Sequence, residues 1–196
     1  AVIVAVLCIA AVFAPLVAPY DPAALDLQAR WQGPSLGHLA GTDALGRDIL
    51  SRVIFGGRIA LVVAVIGVGL ALLVGSAVGV LAGYRGGRLD VLMLVILDTL
   101  NSFPLIFLAL AIVVIYGSSL SVVVGVVAVA LLPKYARVTR ALILATKAET
   151  FILAERALGA SPLRIVMRHV VPNIAAPVVI FAAIDIPLAI TLEAGL

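Results

Sequence analysis

Residues 151–173 read FILAERALGASPLRIVMRHVVPN, a polar and basic stretch that lies between two apolar ones. Its first half continues a helical pattern, and Gly159 then occupies the position of a left-handed residue that ends a helix. Ser161 can cap a second helix that has Pro162 at its first position, where a missing N–H costs nothing. Pro172 should end that second helix. The stretch therefore predicts two short helices that meet at a corner, and we call residues 151–173 the elbow.

The second helix of the elbow is expected to be amphipathic and basic. Apolar side chains alternate there with cationic ones, and the set is Leu163, Arg164, Ile165, Val166, Met167, Arg168 and His169. Such a surface, held between membrane spans, suits docking to a partner protein. The alternative is an ordinary basic loop.

The composition is that of an integral membrane protein. The chain has 196 residues, a mean hydropathy of +1.30 and only 12% charged residues, whereas soluble domains average about a quarter. The long apolar runs lack the alternation of strands, so an all-α bundle is predicted. The net charge of +3 gives no reason to expect nucleic acid as a partner. Cys8 is the only cysteine, which excludes a disulfide framework within the chain.

Apolar runs predict five membrane spans in a single transmembrane domain, residues 1–196. The spans are residues 1–18, 59–83, 91–116, 120–144 and 174–192, separated by an outer loop at 20–58 and a cytoplasmic coupling loop at 145–173. The chain begins inside an apolar run and stops just after another, so we expect it to be a fragment.

Two features of the spans predict how they pack. Gly75, Gly79 and Gly83 recur every fourth residue, which puts small residues on one helix face and lets a neighbouring backbone of the same subunit approach closely. Pro104 removes a backbone hydrogen bond and should kink the third span.

The loop charges predict the orientation. Basic residues dominate the loops between spans two and three and between spans four and five, while the turn at residues 117–119 has no charge. The positive-inside rule places the two basic loops in the cytoplasm and the loop at 20–58 outside.

Two carboxylates lie within predicted spans. Asp98 could hold the bundle together or line a pathway. Asp185 should face the pathway or a partner subunit rather than lipid, or else be protonated and hydrogen-bonded in the bundle. Lys134, Arg137 and Arg140 line one face at spacing three, which fits side chains that reach for the interface but is also typical of a voltage sensor.

Residues 41–48 read GTDALGRD and carry turn chemistry. Thr42 or Asp43 can cap a turn, Gly46 permits a tight bend, and Arg47 can pair with Asp48. A substrate-binding role for this segment is the alternative.

Motifs for catalysis are absent from the sequence. It has no GxxxxGK[ST] phosphate loop and no nucleophile elbow. His38 and His169 have no partner at metal-ligand spacing. We therefore expect neither an enzyme nor a cofactor or metal site.

The elbow resembles the EAA loop of ABC-importer permease subunits, a motif that reads Glu-Ala-Ala, three residues, Gly, nine residues, Ile-x-Leu-Pro. Gly159 and Pro172 match its spacing. Leu153 stands where the family has its first Glu, and Glu155 follows two positions later. Phrases in the same order along most of the chain are similar to permeases of the dipeptide, oligopeptide and nickel class: APYDP, GTDALGRD, LAGYRGG, SFP, YARVTR, ARALGAS and EAGL.

The resemblance implies a fold of the type I ABC-importer permease kind, whose last span, after EAGL, this chain lacks. It implies a bacterial inner-membrane location and a translocation path for peptides or a related solute such as nickel. The implied partners are a second permease subunit in a heterodimer, two cytoplasmic ATPases, an extracytoplasmic binding protein and membrane lipid. The implied ATPase-coupling residues are Glu155, Gly159, Ala160, Ser161, Pro162, Leu163, Arg164, Val166, Met167 and Arg168. An ion channel subunit and a structural scaffold are the alternatives.

Overall fold

A computed structural model describes residues 2–195 of the chain. Over that range it contains helices, turns and one isolated bridge between Thr42 and Asp48. The helices are α1 (Val2–Val12), α2 (Ala14–Val17), a 3-10 turn (Leu27–Ala29), α3 (Ile49–Arg85), α4 (Gly87–Ser102), α5 (Leu105–Tyr116), α6 (Leu120–Lys147), α7 (Thr150–Ala157), α8 (Pro162–Ile165), a π-helical turn (Val166–Val170) and α9 (Val171–Ala194). The predicted all-α class is confirmed.

Three helical segments are long and apolar enough to cross a membrane: α3, α6 and the continuous stretch Pro162–Ala194. The pair α4 and α5 makes a fourth span if counted together, although the two helices are bent by 82° at their junction. The kink predicted at Pro104 is therefore confirmed. Residues 2–17 form two short helices instead of the predicted first span, because Pro15 lies at the start of α2 and its ring and missing N–H break the helix there. Ala1 lies outside the described residues.

Two boundaries differ from the predicted ones. The outer loop ends at Asp48 and not at residue 58, since α3 begins at Ile49, well before its uncharged portion. Asp48 caps that start by accepting a hydrogen bond from the Ser51 N–H at 2.8 Å. Pro172 does not end a helix, because the π-helical turn just before it adds a residue to the turn and the helix continues into α9. The closing EAGL phrase is described only as far as Gly195.

The chain divides into two compact units, residues 1–62 and residues 63–196. In the first unit, Asp43 organises the GTDALGRD segment by accepting from the N–H groups of Leu45 (2.8 Å) and Arg47 (3.0 Å) and from the Arg47 guanidinium (2.7 Å). The predicted pair between Arg47 and Asp48 is wrong, because Arg47 reaches back to Asp43. Gly46 has φ +75°, so the predicted tight bend is confirmed.

Hydrogen bonds shift the acidity of both carboxylates in this segment. Burial alone would raise the pKa of Asp43, but the bonds from Leu45 and Arg47 lower it to about 2. Burial also opposes ionisation of Asp48, yet hydrogen bonds from Ser51 and from His38, 3.0 Å away, hold its pKa below the ordinary value.

The second unit packs α6 against α9 and against the end of α3. Its core includes Val63, Val68, Val127, Leu131 and Val178. The predicted glycine stripe faces α6: a Cβ on Gly75 would lie 2.7 Å from one carbonyl oxygen of α6, and one on Gly79 would lie 2.5 Å from another. The small residues therefore let the two backbones approach within the subunit, as predicted.

Candidate functional site: the elbow

The corner of the elbow is built by a glycine in the left-handed region. Gly159 has φ +81°. Its N–H donates to the Arg156 carbonyl and the Ala160 N–H donates to the Glu155 carbonyl, both at 3.0 Å. These two bonds form the paired closure that commonly ends a helix before a left-handed residue, so the predicted cap of α7 is confirmed.

The next helix, α8, starts at Pro162, three residues after Gly159. Ser161 has an extended backbone, and its side chain accepts a hydrogen bond from the Arg164 N–H at 3.4 Å. Pro162 occupies the first turn of α8, as predicted. Both sides of the corner are thus set by local backbone chemistry.

The inner face of the elbow rests on the membrane helices. A buried apolar cluster joins α7, α8 and the π-helical turn to α6 and α9, and its members are Ile143, Ile152, Ile165, Val170 and Ile174. Val80, Tyr84 and Ala160 pack against this cluster. Because side chains of α7 and α8 are held by the same cluster as those of α6 and α9, displacement of the elbow should be felt by the spans.

Polar contacts reinforce this attachment. Glu155 lies 3.4 Å from the His169 Nε2, which joins α7 to the π-helical turn across the corner. Lys147, at the end of α6, donates to the carbonyls of Tyr84 (2.7 Å) and Gly83 (3.2 Å) and so caps the end of α3. The sequence analysis did not identify this capping role of Lys147. The signal that could have shown it is a cation in the last turn of a helix.

The outer face of the elbow, by which we mean its exposed side chains, is both apolar and basic. Leu158 is 84% exposed, Leu163 72% and Met167 62%. Arg156, Arg164 and Arg168 are exposed as well. The structure corrects one predicted contact: Val166 is buried, so it is not among the exposed side chains of this face. Leu158 was missed as a surface residue because the sequence alone does not show which side of the corner faces outward.

The two carboxylates expected near a pathway have different surroundings. The Asp98 side chain is 66% exposed and lies 2.8 Å from an Arg137 guanidinium nitrogen. The Asp185 carboxyl is buried and accepts from Lys134 at 2.6 Å and from the Tyr135 hydroxyl at 2.9 Å. Asp185 is thus hydrogen-bonded inside the bundle with a cation as partner, and its place beside a pathway or a partner subunit stays a prediction.

The basic stripe on α6 is neutralised by acids from other helices. Lys134 pairs with Asp185 of α9 and Arg137 with Asp98 of α4. Arg140 forms two bonds with Asp90 of α4, at 2.5 and 2.6 Å. A voltage sensor needs charges that move, and these three are each held by an ion pair. Among residues 2–195, no three His, Cys, Asp or Glu side chains are grouped so as to hold a metal ion.

The fold and the elbow together define a helical membrane protein with a rigid basic corner on one surface. Comparison with known proteins identifies the family. The binding-protein-dependent transport system inner membrane component family matches residues 75–196, more than half of the chain, and the chain belongs to it. The N-terminal TM domain of oligopeptide transport permease C matches residues 1–34. The family description places the chain in the inner membrane, as predicted.

Individual relatives match nearly the whole chain. It is 38% identical over 95% of its length to the dipeptide transport system permease protein DppC of Alkalihalophilus pseudofirmus. It is 40% identical over its full length to the glutathione transport system permease protein GsiD of Escherichia coli O6, and 34% identical over its full length to the probable D,D-dipeptide transport system permease protein DdpC of Escherichia coli K12. The chain spans 61% to 66% of the length of these three relatives. They are transport permeases and not enzymes.

Proposed function

We propose that the chain is the permease subunit of an ATP-driven importer and forms part of the translocation path for peptides. The family and the whole-length similarity to permeases named for dipeptides and glutathione support this cargo class. Nickel, the other cargo that the sequence resemblance allows, has less support, because none of the three relatives is named for a metal.

The observation that carries the proposal is the elbow's outer face. Leu158, Leu163 and Met167 are its exposed apolar side chains, and Arg156, Arg164 and Arg168 are its exposed basic ones. An ATPase groove with an apolar floor and an acidic rim fits such a surface, since the apolar side chains would be buried and the guanidinium groups would meet carboxylates.

The coupling residues divide into three roles under this proposal. Gly159, Ser161 and Pro162 set the corner. Leu163, Met167, Arg164 and Arg168 make the contact. Glu155 braces the corner through His169, Ala160 packs against the cluster that holds the elbow to the spans, and Val166 is buried, so that movement of the ATPases reaches the spans. ATP hydrolysis would come from two separate ATPase subunits, and a second permease subunit and an extracytoplasmic binding protein would complete the importer.

Asp98 is the more exposed of the two carboxylates proposed to lie near the pathway. An exposed acid within a span is costly against lipid, which favours a position toward water or toward the second permease subunit. Its bond to Arg137 reduces that cost but leaves most of the carboxylate accessible.

Transport in proteoliposomes tests the proposal. The chain, reconstituted with its partner subunits and binding protein, should take up labelled dialanine only when ATP is supplied on the ATPase side. Ion flux through the chain alone, without ATP or partners, would instead establish a channel. If deletion of the gene left peptide uptake by cells unchanged, the scaffold alternative would be favoured.

A further inference from the structure

Helix α6 carries an ammonium group deep within its span. Lys134 lies fourteen residues after Leu120 and thirteen before Lys147, the two ends of the helix. At about 1.5 Å per residue, each end is roughly 20 Å away, which is well beyond the reach of a lysine side chain. Lys134 therefore cannot bring its charge to either end of the helix.

The group is held by a buried counter-ion. The Lys134 Nζ donates to one carboxylate oxygen of Asp185 at 2.6 Å, and the Tyr135 hydroxyl donates to the other at 2.9 Å. Asp185 is only 2% exposed. Both of its oxygens are engaged inside the bundle, so the ion pair is neutral and fixed in position.

Lys134 itself is accessible although its partner is not. Its side chain is 41% exposed, against 3% for the Asp185 side chain. Within residues 2–195, Asp185 is the sole hydrogen-bond acceptor for the ammonium, which has three N–H donors. The Phe181 ring, 5.9 Å from the ammonium, adds a weak attraction. Two donors thus remain for an acceptor from outside the chain.

A cavity and a second ion pair lie close to Lys134 along α6. The neighbouring Pro133 lines a cavity of about 240 Å³ at the break between α4 and α5, with Asn101 and Pro104 among its other walls. One turn further along α6, the exposed pair of Arg137 and Asp98 follows. Accessible charges within a span are costly against lipid, which favours a position of this part of α6 toward water or toward the second permease subunit.

We propose that the Lys134 ammonium binds the terminal carboxylate of a peptide in transit, with Asp185 as the resting counter-ion that positions it. This rests on the proposed function, for which it names a substrate-contacting residue. A carboxylate entering the path would accept the two free N–H donors in charge-assisted hydrogen bonds while Asp185 keeps the third. The ammonium is already fixed and partly dehydrated, so little ordering is needed on binding.

The test compares variants of the complete transporter in proteoliposomes, with labelled dialanine as the probe. Lys134→Gln combined with Asp185→Asn removes both charges together and so leaves no lone buried charge. At equal permease level and normal basal ATP hydrolysis, uptake should fall about tenfold, the loss expected for a charge-assisted hydrogen bond. Lys134→Arg keeps the charge and should retain most of the uptake. Tyr135→Phe is the matched control, since it disturbs the same carboxylate but leaves the ammonium in place, and it too should retain most uptake.

Each outcome of these measurements either supports the proposal or overturns it. Unchanged uptake in the double variant would overturn the proposal, and so would an equal loss in Tyr135→Phe, which would make the cluster structural. Lys134→Met with Asp185→Leu serves as a second neutral pair if the first does not reach the membrane. Dialanine amide lacks the carboxylate, so its uptake should fall less than that of dialanine, and an equal fall would refute the carboxylate assignment. If the unchanged chain takes up no dialanine with ATP present, the proposed function itself fails and the Lys134 proposal with it.

Discussion

The corner of the elbow offers the sharpest test of how ATPase movement reaches the membrane. Gly159→Val places a β-branched residue at φ +81°. A Cβ at this position would meet nothing within 4 Å, so the cost of the substitution comes from the backbone conformation and not from a steric clash. A left-handed backbone costs a β-branched residue about 1–3 kcal/mol.

The variant chain has two ways to respond. It can keep the corner and carry the strain, or extend α7 and lose the two 3.0 Å bonds that close it, those of the Gly159 and Ala160 N–H groups. At about 1.4 kcal/mol per tenfold change, the strain lowers the population of the native corner relative to the extended form by about 5- to 140-fold. Membrane insertion should be unaffected, because no span is altered.

The assay measures ATP-driven dialanine uptake and co-purification of the ATPases from the same membranes, at equal permease level. Both should fall in Gly159→Val, and fall less in Gly159→Asn because asparagine tolerates the left-handed region better. Gly125→Val is the control: that glycine is helical, has open space around its Cβ position, and should be replaced without loss of either signal. Leu163→Glu should also lower both signals, because it places a charge at the proposed contact with the ATPase. Normal uptake with normal co-purification in both would exclude the elbow from the coupling mechanism.

Three further predictions concern orientation, packing and pH. On a cysteine-free background, a cysteine at the fully exposed Leu36 should react with an impermeant reagent on intact cells and one at Ser161 should not; the reverse pattern would invert the assigned topology. Gly79→Ala places a Cβ 2.5 Å from a backbone carbonyl of α6 and should lower the thermal stability of the purified chain, whereas Gly69→Ala, with open space around it, should not; equal melting temperatures would refute the close contact. Because the folded pKa of Asp43 is depressed to about 2 from 3.8, its stabilisation of the GTDALGRD segment is present above pH 3.8 and is lost as pH falls toward 2. The protection of amide hydrogens there, relative to the unfolded chain at the same pH, should therefore fall across that window and be low at neutral pH in Asp43→Asn.

The ion pairs of α6 explain how a span can carry three basic residues. Each cation lies beside a carboxylate from α4 or α9, so the charges cross between helices and tie them to one another. Removing one partner would leave a lone charge in a medium of low dielectric constant, which is strongly destabilising. These residues therefore need to be changed in pairs.

The sequence alone determined the helical class, the membrane location, the family and the local design of the elbow. The family follows from the resemblance of sequence phrases, and the other three follow from short-range physics: apolar runs, a glycine that accepts positive φ, and a serine followed by proline at a helix start. The kink at Pro104 and the small-residue stripe on α3 were predictable for the same reason, since each depends on a single backbone property.

Tertiary structure decided which side chains meet. Asp185 is buried against Lys134 and Tyr135, about fifty residues away in sequence, and no local pattern specifies such a pairing. Val166 is buried and Leu158 exposed because the angle of the corner, and not hydrophobicity, selects the exposed face. Pro172 does not end its helix, because the π-helical turn just before it lets the helix continue past the proline. Which side chains are buried depends on the cost of burying charges and the gain from burying apolar surface, summed over the whole bundle. Both quantities depend on contacts that form only when the helices pack.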